Sequence, residues 1–461
     1  MSENSHHKVL IVGGGTAGLT VAARLRRAGE SDIAIIEPSE KHFYQPLWTL
    51  VGAGVARREA TVRSERDYIA PGVKWIMDAA CEVSPEANYV RTRSGGRISY
   101  DFLIVAPGLE LNWDAIAGLR EAVGNGSVST NYTFDNAPRT WDLIRNFKGG
   151  TALFHMPGTP IKCPGAPQKI MYLAADYFRR NKVSANVIYG SATPTIYGIK
   201  EYAAVLDTVV RRYQIDARFS HELVEVRPDK KEAVFIQKND PAQDRVTIGY
   251  DIMHVAPPQI APEFIRNSAL PEQNKPGLGW VEVDQFTLQH KRYSNVFALG
   301  DVASTPNAKT GAAAVKQAPV VVSNLLAVMR GAAPVAKYDG YVACPITTGY
   351  GKLLLCEFDY SGRPTPTIPL INTCAERYDT WLLKRYGLPY LYWNRMLPGR
   401  DVPFLGMPSQ SLPAVVGTNS TKGVANSQAP EERTSPGCRC STVDIQAEEA
   451  VVDSSRTDSA R

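Results

Sequence analysis

The N-terminal part of the chain alternates between short apolar runs and one amphipathic stretch. Residues 8–12 (KVLIV) are almost wholly apolar, residues 16–27 carry small and apolar side chains at helical spacing, and residues 33–36 (IAII) form a second apolar run. Short continuous apolar runs are typical of strands buried on both faces of a parallel sheet. The pattern therefore predicts a strand, a tight turn, a helix and a second strand, which together begin an α/β fold.

The predicted turn carries a glycine motif. Gly13, Gly15 and Gly18 form G-x-G-x-x-G. In such a motif the first glycine permits the tight turn, the second lets a pyrophosphate approach the backbone, and the third lets the helix pack close to the sheet. Glu37 ends the second strand, where a carboxylate can accept hydrogen bonds from ribose hydroxyls. The sequence therefore predicts a dinucleotide site with the anion at the helix N-terminus.

One sequence pattern occurs twice. "YDFLIVAPG" at residues 100–108 recurs as "YDIMHVAPP" at residues 250–258, and strand-like runs precede the second copy. Self-similarity at this distance predicts two copies of one α/β unit. We therefore expect two Rossmann-like domains, and a second glycine motif would then be expected as well.

The second unit carries a different loop at the expected position. Residues 160–169 read "PIKCPGAPQK" between a strand-like run and a helix-like run, and they lack G-x-G-x-x-G. Proline has no backbone N–H to offer a phosphate, so this loop is a poor cradle for a second dinucleotide. We therefore expect that a nicotinamide cofactor is not a substrate.

The same loop holds a candidate reactive cysteine. Cys163 lies just before a helix predicted from about Ala166, and Lys162 and Lys169 are close in sequence. A helix N-terminus and nearby lysines both favour a thiolate over a thiol. A buried, inert cysteine is the alternative interpretation.

Length, charge and cysteine spacing narrow the class of protein. The chain has 461 residues and a net charge of +5, which suggests about three domains and no nucleic-acid partner. Its seven cysteines are scattered without the spacing of a metal site, so we expect no bound metal. No leader-like segment precedes the first strand at Lys8, which favours a cytosol-facing protein.

Two later segments indicate which dinucleotide is bound. "YSNVFALGDVA" is an apolar strand that ends in Gly300 and Asp301, and "KTGAAAV" opens a helix from Lys309. Both resemble glutathione-reductase-like flavoproteins, in which the aspartate meets the flavin ribityl chain and the helix points its N-terminus at the flavin. The resemblance implies FAD as the cofactor, stabilised when reduced by the helix dipole. The contacts implied from this helix come from Lys309, Thr310, Gly311 and Ala312.

The order of four segments resembles the sulfide:quinone oxidoreductases, flavoproteins that oxidise sulfide and reduce membrane quinone. The segments are "HFYQPLWTLVGAG", "KCPGAPQKIMYLAADYFRR", "GDV" followed by "KTGAAAV", and "YDGYVACPITTGY". The resemblance covers residues 8–405 and is greatest to the animal-mitochondrial type, which uses two redox cysteines. It implies main-chain contacts to FAD from Thr16, Ala17 and Ala80, and a flavin-lining position for Gln45, for which a plain turn is the alternative.

The redox cysteines implied by this resemblance are Cys163 and Cys344. Sulfide would open a bridge between them, leave a persulfide on Cys344 and release Cys163 as a thiolate beside the flavin. A small acceptor such as sulfite or glutathione would remove the sulfane sulfur, and a ubiquinone-type membrane quinone would collect the electrons. Cys356 and Cys374 are expected to fill space.

Membrane contact is expected near the C-terminus. Residues 381–399 mix tryptophan and tyrosine with lysine and arginine, a composition typical of interfacial segments. An aromatic cap packed on the core is the alternative. Because no uninterrupted run of about eighteen apolar residues occurs, we expect peripheral, monotopic contact. The site would be the cytoplasmic face of a bacterial inner membrane or the mitochondrial inner membrane, with a homodimer as a further prediction.

The predicted organisation is a discontinuous FAD domain around a degenerate second domain. The expected ranges are 1–112 and 285–335 for the FAD domain, 113–284 for the second Rossmann-like domain, 336–408 for the quinone and membrane region, and 409–461 for a disordered tail. Three alternatives remain open: a type II NADH:quinone oxidoreductase, the flavoprotein subunit of a sulfide-oxidising flavocytochrome, and a non-catalytic redox-sensing flavoprotein.

Overall fold

The computed structural model describes residues 4–273, 277–368 and 370–402, and all of them lie in one compact unit. The predicted tail, with Cys438 and Cys440, lies outside the described residues. So do the last positions of the predicted quinone and membrane region.

The larger sheet has seven strands among the described residues, and its centre is the strand Ser5–Val12. This strand pairs in parallel with Ile33–Ile36 on one side and with Arg97–Val105 on the other. The inner halves of these strands are fully buried, which accounts for their continuous apolar sequence. The other strands of this sheet are Lys74–Ile76, Ala80–Ser84, Tyr89–Thr92 and Val296–Ala298.

Two helices pack against each other on this sheet, Thr16–Arg27 and Gly311–Val328. The first begins directly after the glycine loop (residues 13–15), and Gly13 has a φ of +101°. A Cβ added at Gly18 would lie 1.9 Å from the Gly13 carbonyl oxygen, so only glycine lets the helix approach this closely. The strand, turn, helix and strand that the sequence predicts are therefore present.

The second sheet has five parallel strands in the described ranges, with Gly150–Met156 at its centre between Ile252–Val255 and Ala185–Ser191. Val128–Ser129 and Asp216–Arg218 complete it. The two copies of the repeated pattern thus end strands of two different sheets, the larger one mixed and the second one parallel, which confirms the α/β class. The strand Gly150–Met156 leads into the loop that carries Cys163.

The antiparallel parts of the fold are smaller. Strands Val342–Gly349 and Lys352–Phe358 form a hairpin that carries Cys344 and Cys356. The other described strands are His221–Arg227, Glu232–Gln237, Arg245–Gly249, Lys41–Phe43, Val62–Ser64, Glu110–Leu111 and Gln259–Ile260. The other described α-helices are Trp48–Val51, Leu119–Ala122, Asn136–Asn146, Ala166–Arg180, Lys200–Arg212, Glu263–Arg266, Tyr378–Leu382 and Leu388–Leu391.

The C-terminal helical segment (residues 378–396) is continuous but irregular, with π-type turns at Leu383–Gly387 and Tyr392–Met396. Trp381 and Trp393 are buried against the core, whereas Tyr386 is 58% exposed and Tyr390 is 64% exposed. The tryptophans therefore cap the core, as the alternative interpretation predicts, and membrane contact through the outward-facing tyrosines stays a prediction.

One helix in the described part of the chain, Gly311–Val328, is long and apolar enough to cross a membrane by length and composition. Of its residues, 72% are buried inside the protein. Burial on most sides accounts for this composition, since a helix that is apolar nearly all round packs in a core as readily as in a bilayer.

Candidate active site

The loop after the strand Gly150–Met156 brings Cys163 against Cys344, which lies on the strand Val342–Gly349. Their Sγ atoms are 3.3 Å apart, and both side chains are free thiols. Cys344 is fully buried and Cys163 is half-buried. The helix Ala166–Arg180 starts where the sequence predicts and packs on the Cys344 strand. Two cysteines 181 positions apart in the chain therefore meet in space.

Lys169 is a cation that faces this cysteine pair. It is 3% exposed and donates a hydrogen bond from Nζ to Cys163 Sγ at 3.0 Å. Burial lowers the pKa of Lys169, but the neighbouring sulfur atoms raise it by more, so the ammonium persists. Lys162, the other lysine nearby in sequence, faces Asp301 instead: burial lowers its pKa and the carboxylate acts in the opposite direction.

The pKa values of the two thiols are shifted in opposite directions. The hydrogen bond with Cys344 and the positive charge of Lys169 hold the pKa of Cys163 well below its usual range, although burial opposes them. The same hydrogen bond and burial raise the pKa of Cys344 well above its usual range. The Cys344 S–H therefore donates to a Cys163 thiolate. Of the two sulfurs, Cys163 is the better leaving group in thiol–disulfide exchange.

A second buried lysine reaches the pair from the C-terminal helical segment. Lys384 is 2% exposed and donates from Nζ to the Pro46 carbonyl oxygen at 2.7 Å. Burial and the nearby Lys169 lower the pKa of Lys384 to about 7, while the two cysteine sulfurs act in the opposite direction. Lys384 belongs to the pattern that predicts an interfacial surface, yet the structure buries it beside the redox pair.

The backbone of the cysteine loop (residues 160–165) is held in an unusual conformation. Cys163 has a φ of +90°, which non-glycine residues rarely adopt. Its carbonyl oxygen accepts a hydrogen bond from the Ala166 N–H at 2.6 Å. Such strain persists only where the surroundings enforce it, and prolines at positions 160 and 164 limit the alternatives of this loop. The thiol is therefore fixed in direction.

We expect Gly165→Ala to slow the reaction of the pair, because Gly165 packs directly on Cys344. An added Cβ would lie 2.8 Å from Cys344 Sγ and 3.0 Å from Ile346 Cγ1. A shift of about 1 Å at reacting atoms can cost on the order of a hundredfold in rate. The measurement is the rate of intramolecular disulfide formation under a fixed thiol–disulfide buffer. An unchanged rate in the folded variant would contradict this prediction.

The glycine loop fits a dinucleotide. A Cβ added at Gly15 meets no atom within 4 Å, so the backbone at the start of helix Thr16–Arg27 borders open space. The Gly14 N–H donates to Glu37 Oε2 at 2.8 Å, which places the carboxylate beside the loop. An open helix N-terminus next to a carboxylate is suited to a pyrophosphate and a ribose.

The helix predicted to face the flavin, Gly311–Val328, also has an open N-terminus. It begins at Gly311, and Thr310 caps it by accepting the Ala313 N–H at 3.1 Å. A Cβ added at Gly311 also meets no atom within 4 Å, and Ala312 beside it is half-buried. This helix N-terminus is therefore open to a ligand.

A backbone bridge joins the cysteine loop to this region. Lys162 and Lys309 form a parallel β-bridge, so Cys163 follows directly after it. Lys309 donates from Nζ to the Ala303 carbonyl oxygen at 2.9 Å. Burial lowers the pKa of Lys309 to about 8, and Asp301 opposes that shift. The structure thus brings the cysteine pair, Asp301 and the N-terminus of the helix Gly311–Val328 into one neighbourhood.

The other predicted FAD residues lie on several different elements of the fold. Gln45 begins an exposed turn beside Pro46, whose carbonyl holds Lys384. Ala17 is buried in the first helical turn, and Ala80 is half-buried at the start of an edge strand of the seven-stranded sheet. The residues that the sequence predicts to hold FAD stay a prediction as a set: Gly13, Gly15, Thr16, Ala17, Gly18, Glu37, Gln45, Ala80, Asp301, Lys309, Thr310, Gly311 and Ala312.

A buried polar chain, which the sequence did not predict, ties the C-terminal helical segment to the glycine loop. The Tyr392 hydroxyl lies 2.7 Å from Thr16 Oγ1 and 2.6 Å from His42 Nε2. His42 Nδ1 in turn lies 2.8 Å from Glu65 Oε2. His42, Glu65 and Tyr392 are each at most 5% exposed. His42, inside the "HFYQPLW" segment, was the one feature of the sequence from which a buried polar contact here could have been predicted.

Comparison with known proteins decides the family. Residues 7–138 match the family model described as pyridine nucleotide-disulphide oxidoreductase. The chain is 44% identical over 398 residues to the mitochondrial sulfide:quinone oxidoreductase of Mus musculus, which covers 86% of this chain and 87% of that protein. The chain belongs to the sulfide:quinone oxidoreductase family. The mitochondrial member from Dictyostelium discoideum is 43% identical over 398 residues, or 85% of this chain and 86% of its own length.

A solved structure agrees with the fold. The sulfide:quinone oxidoreductase from Aquifex aeolicus superposes with a TM-score of 0.71 at 19% identity, over 87% of this chain and 93% of that chain. At this identity the likeness shows the fold alone. Membership of the family makes the chain an FAD-dependent oxidoreductase and confirms the predicted cofactor. It does not favour the NADH-oxidising or redox-sensing alternatives.

Proposed function

We propose that this protein oxidises sulfide through the Cys163–Cys344 pair beside FAD and passes the electrons to a membrane quinone. The observation that carries the proposal is the geometry of the pair: two sulfur atoms 3.3 Å apart, with a buried ammonium 3.0 Å from one of them. Two adjacent thiols can close to a disulfide, and a disulfide is the group that a sulfide ion attacks.

The polarisation of the pair assigns the direction of attack. When the bridge is closed, sulfide forms a bond to the Cys344 sulfur, and the bond between the two cysteines breaks. Cys163 leaves as the thiolate because it is the sulfur with the lowered pKa and because Lys169 donates to it. Cys344 then carries a persulfide. When bound, FAD supplies the two-electron acceptor that allows the bridge to close again.

The partners of the proposed reaction follow from its chemistry. The sulfane sulfur leaves to a small nucleophilic acceptor such as sulfite or glutathione. A ubiquinone-type quinone is dissolved in the bilayer, so the protein must reach a lipid surface. The exposed side of the C-terminal helical segment suits this, because Tyr378, Leu382, Tyr386 and Tyr390 recur at helical spacing and face outward.

The proposed location is the mitochondrial inner membrane, with peripheral attachment through this exposed side. The mitochondrial names of the Mus musculus and Dictyostelium discoideum relatives support this over a bacterial membrane. A homodimer remains a prediction, as do the domain boundaries.

The proposed function is tested by mixing the FAD-loaded protein anaerobically with sulfide or with NADH. We expect sulfide to bleach the absorbance of the oxidised flavin and a short-chain ubiquinone to restore it. NADH should leave the spectrum unchanged, because the cysteine loop replaces the second glycine motif. Bleaching by NADH but not by sulfide would overturn the proposal in favour of an NADH:quinone oxidoreductase.

A further inference from the structure

A third thiol lies beside the redox pair. Cys344 and Cys356 are direct cross-strand partners in the hairpin of Val342–Gly349 and Lys352–Phe358. The side chains of directly opposite residues share one face of an antiparallel pair, with Cβ atoms about 4.5–5.5 Å apart. Both cysteines are fully buried. Cys356 therefore has a more specific position than the space-filling role that the sequence predicts.

Two polar side chains converge on the three sulfur atoms. Burial lowers the pKa of Lys169, and the three cysteines each raise it. Burial raises the pKa of Tyr197, and the same three sulfurs raise it further. The Tyr197 side chain is 8% exposed, and its hydroxyl is directed at the Cys356 sulfur, where it acts to lower the pKa of that thiol against the effect of burial. A buried hydroxyl directed at Cys356 is therefore suited to hydrogen-bond a sulfur species held on this residue.

We propose that Cys356 is an internal acceptor that holds sulfane sulfur as a persulfide. This inference rests on the proposed function, because it needs the persulfide on Cys344. The Tyr197 hydroxyl and the Lys169 ammonium are the groups that can hydrogen-bond the added sulfur atom.

The transfer step is balanced without a further reactant. The outer sulfur of the Cys344 persulfide bonds to Cys356 Sγ, and its bond to the Cys344 sulfur breaks. The proton of the Cys356 thiol moves to the Cys344 sulfur. No electrons are exchanged. Cys344 and Cys163 can then close their bridge again, with two electrons leaving to FAD as in the proposed activity.

The internal acceptor allows one additional sulfide oxidation before an external acceptor arrives. Burial raises the pKa of the Cys356 thiol, so its transfer is slower than the release of Cys163. We therefore expect Cys356 to matter when sulfite and glutathione are absent and to have little influence on turnover when sulfite is abundant.

The experiment is a burst measurement on the FAD-loaded protein without sulfite or glutathione. Sulfide and excess short-chain ubiquinone are mixed anaerobically with wild type, Cys356→Ala, Cys356→Ser and the control Cys81→Ala. Quinol formed in the burst and cyanide-reactive sulfur retained per chain are both measured. Wild type and Cys81→Ala should exceed both Cys356 variants by one quinol and one sulfur atom per chain.

The outcomes separate this inference from the proposed function. Equal bursts in all four proteins, with quinone reduced by each, overturn the role of Cys356 and leave the proposed function intact. No quinol from wild type overturns the proposed function itself. A full burst in Cys356→Ser with a small one in Cys356→Ala shows that a polar atom at the γ position suffices without sulfur, and it also overturns the inference. The serine variant keeps an atom at the γ position with oxygen in place of sulfur, so the test remains available where alanine impairs folding.

Discussion

Cys163→Ser and Cys344→Ser are each expected to lower the rate of sulfide-dependent quinol formation by about a thousandfold or more. The serine oxygen cannot form the disulfide that sulfide attacks, and it cannot carry a sulfane sulfur. The 3.3 Å contact between the two sulfur atoms makes both residues necessary, because the Cys163–Cys344 bridge needs a sulfur atom at each position. The measurement is anaerobic quinol formation with sulfite present as the acceptor.

Cys81→Ser is the matched control, because it makes the same chemical change on the strand Ala80–Ser84 of the larger sheet. It should keep the wild-type rate. All variants are first compared by their flavin absorbance per chain, so that loss of FAD is not mistaken for loss of the thiol. Quinol formation by either active-pair variant at the wild-type rate would contradict the disulfide relay.

The glycine loop could be predicted from sequence because its constraints are local. The motif, the strand before it and the helix after it lie within one continuous stretch, and Gly18 faces the Gly13 carbonyl in the way that the motif requires. The carboxylate of Glu37 is also reached within the same unit. The pattern at residues 100–108, repeated at residues 250–258, then predicted the second α/β unit. Local pattern and repetition therefore accounted for the framework of the fold.

The partners of Cys163 could not be derived in this way, because they come from distant parts of the chain. The pairing with Cys344 was available only through the family resemblance, and Lys384 comes from a segment whose composition indicates a membrane surface. Burial of Lys384 depends on tertiary packing that composition does not encode. The pairing of Cys344 with Cys356 did leave a signal, since the two are equally distant from Tyr350 at the turn of a hairpin.

Lys169→Met is expected to move the ionisation of Cys163 to higher pH. Lys169 donates to Cys163 at 3.0 Å and is one of the causes that lower the pKa of this thiol. A lowered thiol pKa means that the thiolate persists until the pH falls through that value, so removal of the charge makes the thiolate disappear at a higher pH. Where the pH lies below the pKa, the thiolate fraction falls about tenfold for every pH unit that separates the two. We expect about a tenfold slower reaction at neutral pH, with recovery at alkaline pH.

The measurement is the rate of iodoacetamide alkylation of Cys163 in the reduced protein as a function of pH, followed by peptide mass analysis. Quinol formation over the same pH range gives the second profile, and both should shift together. Lys162→Met is the control, because Lys162 is adjacent in sequence but faces Asp301, so its removal should leave the alkylation profile of Cys163 in place. If both lysine variants shift the alkylation profile equally, the contact with Lys169 does not set the reactivity of Cys163. The hydrogen bond with Cys344 is then the main cause of the lowered pKa of Cys163.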